Sequence, residues 1–448
     1  MGNLGPGASF PEMLTDRIDP PSCPRAALSQ ALALPSLAVS LLLSACGGSP
    51  ASTTKPSETP DAAILLFPPA HDAGSGDSRA DASHDATRDA GGDAAGDAGR
   101  PTLHDAAGCE AQGKDLQMQL DQAVLSWQTD GGVSGAVLGV STPGCGTWTG
   151  ASGLSTATLP VTVTDDFRVG SITKTFVATA VIELEAEGKL SFSDALEKWV
   201  TGFPNGSGIT LDQLLHHTSG IYDYTSDATF DSTESNDPGT VWTPAQLVQI
   251  AAGHAAVFAP GASWGYSNTN YILLGLVVEK VTGDDVGKVL HSLAIDKAGL
   301  SHTTLAGYEP AVGTMAHGYA TTGVDVTTLF DPSYAWTAGA VVSNAPDLVS
   351  WASSLYGGNL LSASGLTEML DTVPTGQTGT LYGRGVFVFD TAATGVATSW
   401  GHPGDINGYH SQMSYFPDSK TIIVSLVNSD SADPNAVTVA ALTALGFI

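Results

Sequence analysis

Apolar positions recur at helical spacing in two well-marked stretches of the chain. Leu116, Leu120, Val124 and Trp127 predict an amphipathic helix. Ile172, Phe176, Val177, Ala180, Val181 and Leu184 predict a second, with Gly188 as its stop. Elsewhere the apolar residues come in shorter runs. Residues 133–140 read as a strand followed by the turn Pro143-Gly144-Cys145-Gly146. Residues 408–416 and 421–428 read as a hairpin closed by Pro417-Asp418-Ser419, and Asp433-Pro434 opens a last helix. Between about 190 and 395 the pattern is rich in helices and loops. This order predicts an α+β architecture, with an antiparallel sheet formed by both chain ends and a helical middle region.

The 448 residues exceed an ordinary single domain, and the first 108 have a texture of their own. Arg17 and Arg25 precede an apolar run over 26–46 that ends in small residues. That is the signal-peptide pattern, too short for a membrane span. Its ending, Leu43-Ser44-Ala45-Cys46, resembles a bacterial lipobox. The resemblance implies that Cys46 is acylated and becomes the mature N-terminus. It also implies an exported protein, lipid-anchored in the cell envelope and facing the periplasm. Gly47, in place of Asp, leans the sorting toward the outer membrane. Pro20, Pro21 and Pro24 are foreign to a signal sequence, which points to a translation start downstream of Met1. Over 47–108, Asp77, Asp81, Asp85, Asp89, Asp93 and Asp97 recur every four residues among Ala and Gly. Helical winding would stack these like charges, so the stretch reads as a disordered, self-repelling tether. It lacks the residue variety of a calcium loop.

Charge narrows the partners. Sixteen Lys and Arg face 45 Asp and Glu, a net −29. That excludes nucleic acid and a polybasic membrane contact, both of which need clustered cations. Residues 109–448 hold ten cations against 32 carboxylates, so any cation beside a motif is informative. Cys109 and Cys145 are the two cysteines of this part, and an oxidising compartment would let them tie the first helix to the first hairpin.

Three short motifs carry chemistry. Ser171-Ile172-Thr173-Lys174 sits where the second helical pattern begins. Three residues make about one turn, so Lys174 returns to the face of Ser171. A lysine with a depressed pKa can take the serine proton. The same spacing in Ser52-Thr53-Thr54-Lys55 precedes Pro56, has no apolar helix after it, and reads as chance. Tyr266-Ser267-Asn268 puts a phenol and an amide two residues apart, able to point the same way on an extended segment. Trp400-Gly401-His402-Pro403-Gly404 reads as a turn or an edge strand whose glycine admits a close backbone approach.

Taken together and in this order, the three motifs resemble the serine hydrolases related to class C β-lactamases and D-alanyl-D-alanine carboxypeptidases. Supporting stretches are LLHHTSG at 214–220, PGASWGYSN at 260–268 and AGAVVSNAPDL at 338–348. The resemblance covers about 115–448 and implies a β-lactamase/transpeptidase-like fold. It makes Ser171 the acylated nucleophile and divides the base role between Lys174 and Tyr266. Tyr266 would also protonate the leaving group, and Asn268 would hold the substrate carbonyl. His402 would stand for the lysine of a Lys-Thr-Gly motif. The backbone N–H groups of Ser171 and of Asp405, the residue after Gly404, would form the oxyanion hole. No cofactor or metal is implied, and the partner is a small-molecule or peptide substrate. The domain expectation is therefore 1–46 signal peptide with lipobox, 47–108 tether, and 109–448 serine hydrolase.

One departure bears on substrate. Pro403 replaces the threonine that helps hold a substrate carboxylate in penicillin-recognising relatives, and Asp405 adds a negative charge nearby. Beside D,D-carboxypeptidase or β-lactamase work, the sequence leaves open an esterase or amidase acting on neutral substrates and an inactive peptidoglycan-binding relative. Two further patterns are set aside. Gly261-Ala262-Ser263-Trp264-Gly265 matches a nucleophile elbow but lacks the preceding strand. His216 and His217 are adjacent, would not share a face as metal ligands, and read as supports of the HTSG turn.

Overall fold

A computed structural model describes residues 106–127, 134–390 and 397–448. The signal segment, Cys46, the Asp-rich stretch through position 105, the Ser52 motif and Val133 lie outside the described residues. No helix among the described residues is long and apolar enough to cross a membrane.

The sheet does join the two chain ends. Its strands are β1 (Gly135–Thr142), β2 (Gly146–Gly153), β6 (Val373–Pro374), β7 (Thr380–Tyr382), β8 (Phe387–Phe389), β9 (Ser399–Ile406), β10 (Tyr409–Phe416) and β11 (Thr421–Val427). They run in the order β2-β1-β11-β10-β9-β8-β7-β6, all antiparallel. A small second sheet pairs β3 (Phe167–Arg168) and β4 (Thr304–Leu305) with β5 (Val341–Ser343). The helix- and loop-rich reading of 190–395 thus missed β6, β7 and β8, which extend the main sheet. They are two or three residues long, too short to show a period of two.

Both faces of the sheet are covered, which is why β1 and β11 read as nearly continuous apolar runs. In β11, Ile422, Val424 and Leu426 face the helical region, while Ile423 and Val427 face the opposite way. The second face packs on the helices Ala106–Trp127 and Pro434–Ala444, through Leu116, Leu120 and Val124 from the first and Val437 and Ala441 from the other. Asp433 caps the last helix by accepting from Asn435 N–H. Cys109 and Cys145 are bridged with Cα atoms 5.4 Å apart, fastening that first helix to the β1–β2 turn. On the helical side, Phe176 stacks on Trp351 with ring centroids 3.9 Å apart. That contact locks the helix Thr173–Ala186 against the helix Ala345–Tyr356. Gly188, with φ 71°, follows the first of these and ends it as the sequence predicts.

Candidate active site

Ser171 lies in a single 3₁₀ turn, Gly170–Ile172, that runs directly into the helix Thr173–Ala186. Lys174 follows one turn later and is fully buried. Its Nζ lies 2.9 Å from Ser171 Oγ, 2.8 Å from Asn268 Oδ1 and 2.7 Å from the carbonyl oxygen of Ala338. The two carbonyl oxygens can only accept, so they engage two N–H bonds of the lysine. The third position on nitrogen faces the serine, where a neutral amine presents its lone pair. Burial pushes the Lys174 pKa down from 10.5 to about 7, against an opposing pull from the Asp223 carboxylate. The neutral form is therefore abundant near neutral pH.

Tyr266 approaches from the far side. Its hydroxyl donates to Ser171 Oγ at 2.9 Å, and its ring lies 4.8 Å from Lys174 Nζ. Burial raises its pKa well above 10, although the bond to Ser171 works against this. The resting phenol is thus protonated, which leaves the lysine as the better proton acceptor of the two. Ser267 is extended, with φ −148° and ψ 118°, and Asn268 is the first residue of the helix Asn268–Thr282. This geometry puts the phenol on Ser171 and the amide on Lys174. Asn268 Nδ2 donates to Asp223 Oδ2 at 3.1 Å while Oδ1 accepts from the lysine. The amide is therefore mainly a bracket for Lys174, and one remaining Nδ2–H could meet a substrate carbonyl.

His402, Pro403 and Gly404 lie within β9, so the motif is a strand and not a turn. β9 is an interior strand only in its first half. β8 pairs with Ser399, Trp400 and Gly401 and then stops, leaving 402–406 as a free edge facing the serine turn. Gly170 and Gly404 make that approach possible. Gly170 has φ 50°, and a Cβ on it would come within 2.6 Å of Asp405 N; a Cβ on Gly404 would come within 2.0 Å of Val169 O. The backbone nitrogen of Asp405 is thereby held beside the turn that carries Ser171, where an oxyanion site needs it. His402 is fully buried. Burial, reinforced by the neighbouring Lys174, drives its pKa down to about 3. It is a neutral imidazole, with Nε2 3.1 Å from the Tyr382 hydroxyl and Nδ1 2.6 Å from the Pro403 carbonyl. It occupies the lysine position of the motif without supplying a positive charge.

Several participants were not legible beforehand. Asp223, half-buried and with its pKa raised by desolvation, accepts from Asn268 Nδ2 across 45 residues of sequence. Tyr382, from β7, holds His402. His217 was read as a support of the HTSG turn, and its φ of 58° agrees with a turn. It also lies under Tyr266, ring centroids 4.3 Å apart, with Nδ1 accepting from Ser267 N–H at 3.2 Å. His216 bonds the carbonyls of Asp212 and Asp371 instead. Ser263 is exposed in a loop, and its hydroxyl donates to the carbonyl of Trp264. Arg384 is an anchor for Asp212, Glu368 and Asp371. The described residues contain no cluster of side chains suited to a metal ion.

Fold and site together define a serine hydrolase of the penicillin-binding-protein-like class, with serine, lysine and tyrosine interlocked at the junction of a sheet and a helical region. The family model for beta-lactamase matches residues 79–446, and the chain belongs to that family. Among curated relatives, a Bacillus subtilis protein carrying the name penicillin-binding protein PbpX is 29% identical over 264 residues, 58% of this chain and 62% of its own length. The chain thus spans about three fifths of that relative. Among solved structures, a D-stereospecific amidohydrolase from Streptomyces sp. is 35% identical, with a TM-score of 0.66 over 72% of this chain and 98% of its own. A D-amino acid amidase from Ochrobactrum anthropi SV3, in complex with L-phenylalanine amide, is 26% identical with a TM-score of 0.67, covering 75% and 98%.

Proposed function

We propose that the protein is an amidohydrolase that works through an acyl-enzyme on Ser171, on amides of small amino acids or short peptides. The observation that carries the reading is the Ser171–Lys174–Tyr266 interlock at 2.9 Å on both sides of one oxygen. Lys174 Nζ takes the hydroxyl proton as Oγ bonds to the substrate carbonyl carbon. The resulting oxyanion sits between the N–H groups of Ser171 and Asp405. As the C–N bond breaks, the departing amine takes the Tyr266 phenol proton, and Lys174 returns a proton to Tyr266. Water then repeats the sequence against the ester and frees Ser171.

Two features favour an amide over a substrate ending in a carboxylate. The third motif offers a neutral His402 and a proline, so it provides neither the cation nor the hydroxyl that would hold a carboxylate. The solved structures reported above include two named for D-amino-acid amide or D-stereospecific amide hydrolysis. The test is intact mass over time for the full chain and Ser171→Ala, each with a penicillin, with D-phenylalanine amide and with an activated ester. We expect turnover of the amide, a transient adduct with the ester, both lost in Ser171→Ala, and slow or no acylation by the penicillin. A lasting penicillin adduct on the wild type alone restores the D,D-carboxypeptidase reading, and penicillin consumption restores the β-lactamase one. No reaction with any of the three leaves a binding protein on this fold.

The lipobox resemblance supports placing this activity at a membrane surface through acylated Cys46. Growth with a labelled fatty acid should label the wild type and not Cys46→Ala; an unlabelled wild type refutes the anchor.

A further inference from the structure

We infer that Asp405 selects the substrate: its carboxylate holds the α-ammonium group of the acyl half, so the site takes N-terminally free amino-acid amides. The inference rests on the acyl-enzyme reading above and deepens it.

Asp405 has two polar faces. Its backbone nitrogen lies against the serine turn, where the substrate carbonyl oxygen must go. Its side chain is 61% exposed, on the part of β9 that β8 leaves uncovered. Among the described residues the carboxylate meets one partner, His410 Nδ1, at 3.5 Å, beyond a good ion pair. The strand is well fixed there. Asp405 pairs with His410 across the β9–β10 hairpin. Just past it, Asn407 Oδ1 accepts from the Tyr334 hydroxyl at 2.9 Å. The charge therefore stands on a fixed support and reaches the reacting centre, where it adds to the burial that raises the Tyr266 phenol.

Covalent geometry supplies the rest. A carbonyl oxygen bonded to Asp405 N–H lies about 3 Å from that nitrogen. In an α-amino acid amide the ammonium is two bonds from the carbonyl carbon, and a carboxylate on a one-carbon stem is within a few ångströms of its own backbone nitrogen. One residue can thus grip the carbonyl through its main chain and the neighbouring ammonium through its side chain. A carboxylate in the ammonium position would meet the like charge of Asp405.

The experiment compares kcat/KM for D-phenylalanine amide, its N-acetyl derivative and its N-succinyl derivative, in the wild type, Asp405→Asn and Asp405→Lys. The p-nitrophenyl esters of the same three acyl groups form a second series. We expect the wild type to favour the free ammonium over the N-acetyl form by at least about fivefold at low salt. The preference should shrink as ionic strength rises, because the pair is partly exposed. Asp405→Asn should bring the ratio close to one, and Asp405→Lys should turn it toward the succinyl substrate. A wild type without the preference, or a ratio unchanged in Asp405→Asn, overturns the inference whatever the absolute rates. If the esters discriminate while every amide is inert, the amide reading fails and Asp405 keeps its role. If neither series reacts, both fall together.

Discussion

Replacing Ser171 by alanine should lower kcat for any substrate the enzyme turns over by at least about 10⁴-fold, the scale seen when the nucleophile of a coupled catalytic unit is removed. The expectation follows from where the hydroxyl sits. Ser171 Oγ is the one atom contacted by both Lys174 Nζ and Tyr266 OH, so removing it leaves the base and the phenol with nothing to act on. The fold should survive. Ser171 is only partly buried, and the turn is held by neighbouring groups: Thr173 Oγ1 donates to Gly170 O at 2.7 Å and accepts from Val341 N–H at 3.0 Å. A thermal unfolding midpoint close to the wild type, combined with lost turnover and lost ester acylation, is the expected pair of results. Retained turnover would mean that another oxygen attacks. The exposed Ser263, which also sits in a hydrolase-like pattern, would then be the first variant to make.

How much of this was readable in the sequence depended on whether a residue's partner lay one helical turn away or across the fold. Ser171 and Lys174 were legible because i and i+3 share a helix face, and an apolar helix visibly starts there. β10 and β11 were legible because they are eight and seven residues long, long enough to show their apolar positions on either side of the Pro417-Asp418-Ser419 turn. The approach of Tyr266 to Ser171 came from resemblance and not from spacing, since 95 residues separate them. Asp223 and Tyr382 had no local signature. One is an acid in a polar loop and the other belongs to a three-residue strand, and each matters only through a partner that the topology brings to it. His402 was identified by position but not by charge. The resemblance suggested a stand-in for lysine, whereas complete burial beside Lys174 keeps the imidazole neutral. Burial of that kind is set by neighbours from β7, β10 and the Tyr266 loop, and no window around residue 402 contains them.

Lys174→Ala should cost at least about 100-fold in kcat/KM, the usual contribution of a positioned general base, and it should also change the shape of the pH profile. In the proposed mechanism the working form of Lys174 is the unprotonated amine. Burial brings its pKa down to about 7, so wild-type kcat/KM should rise with pH through that region and level off above it. Below it the amine carries a proton, cannot accept another from Ser171, and activity falls. The limb belongs to the coupled Lys174–Tyr266 pair as a unit. The phenol, raised well above 10 by its own burial, contributes little to the titration near neutrality. The alanine variant should lose the limb as well as the rate, because among the described residues no other group that contacts Ser171 Oγ has a pKa brought into that range. Asn268→Ala is the informative companion. It removes the acceptor at 2.8 Å from Nζ and leaves Asp223 without its link to the lysine, so it should shift the limb without erasing it. A Lys174→Ala enzyme that keeps most of its activity would transfer the base role to Tyr266. One that loses the rate but keeps the same limb would mean that the limb reports a different group.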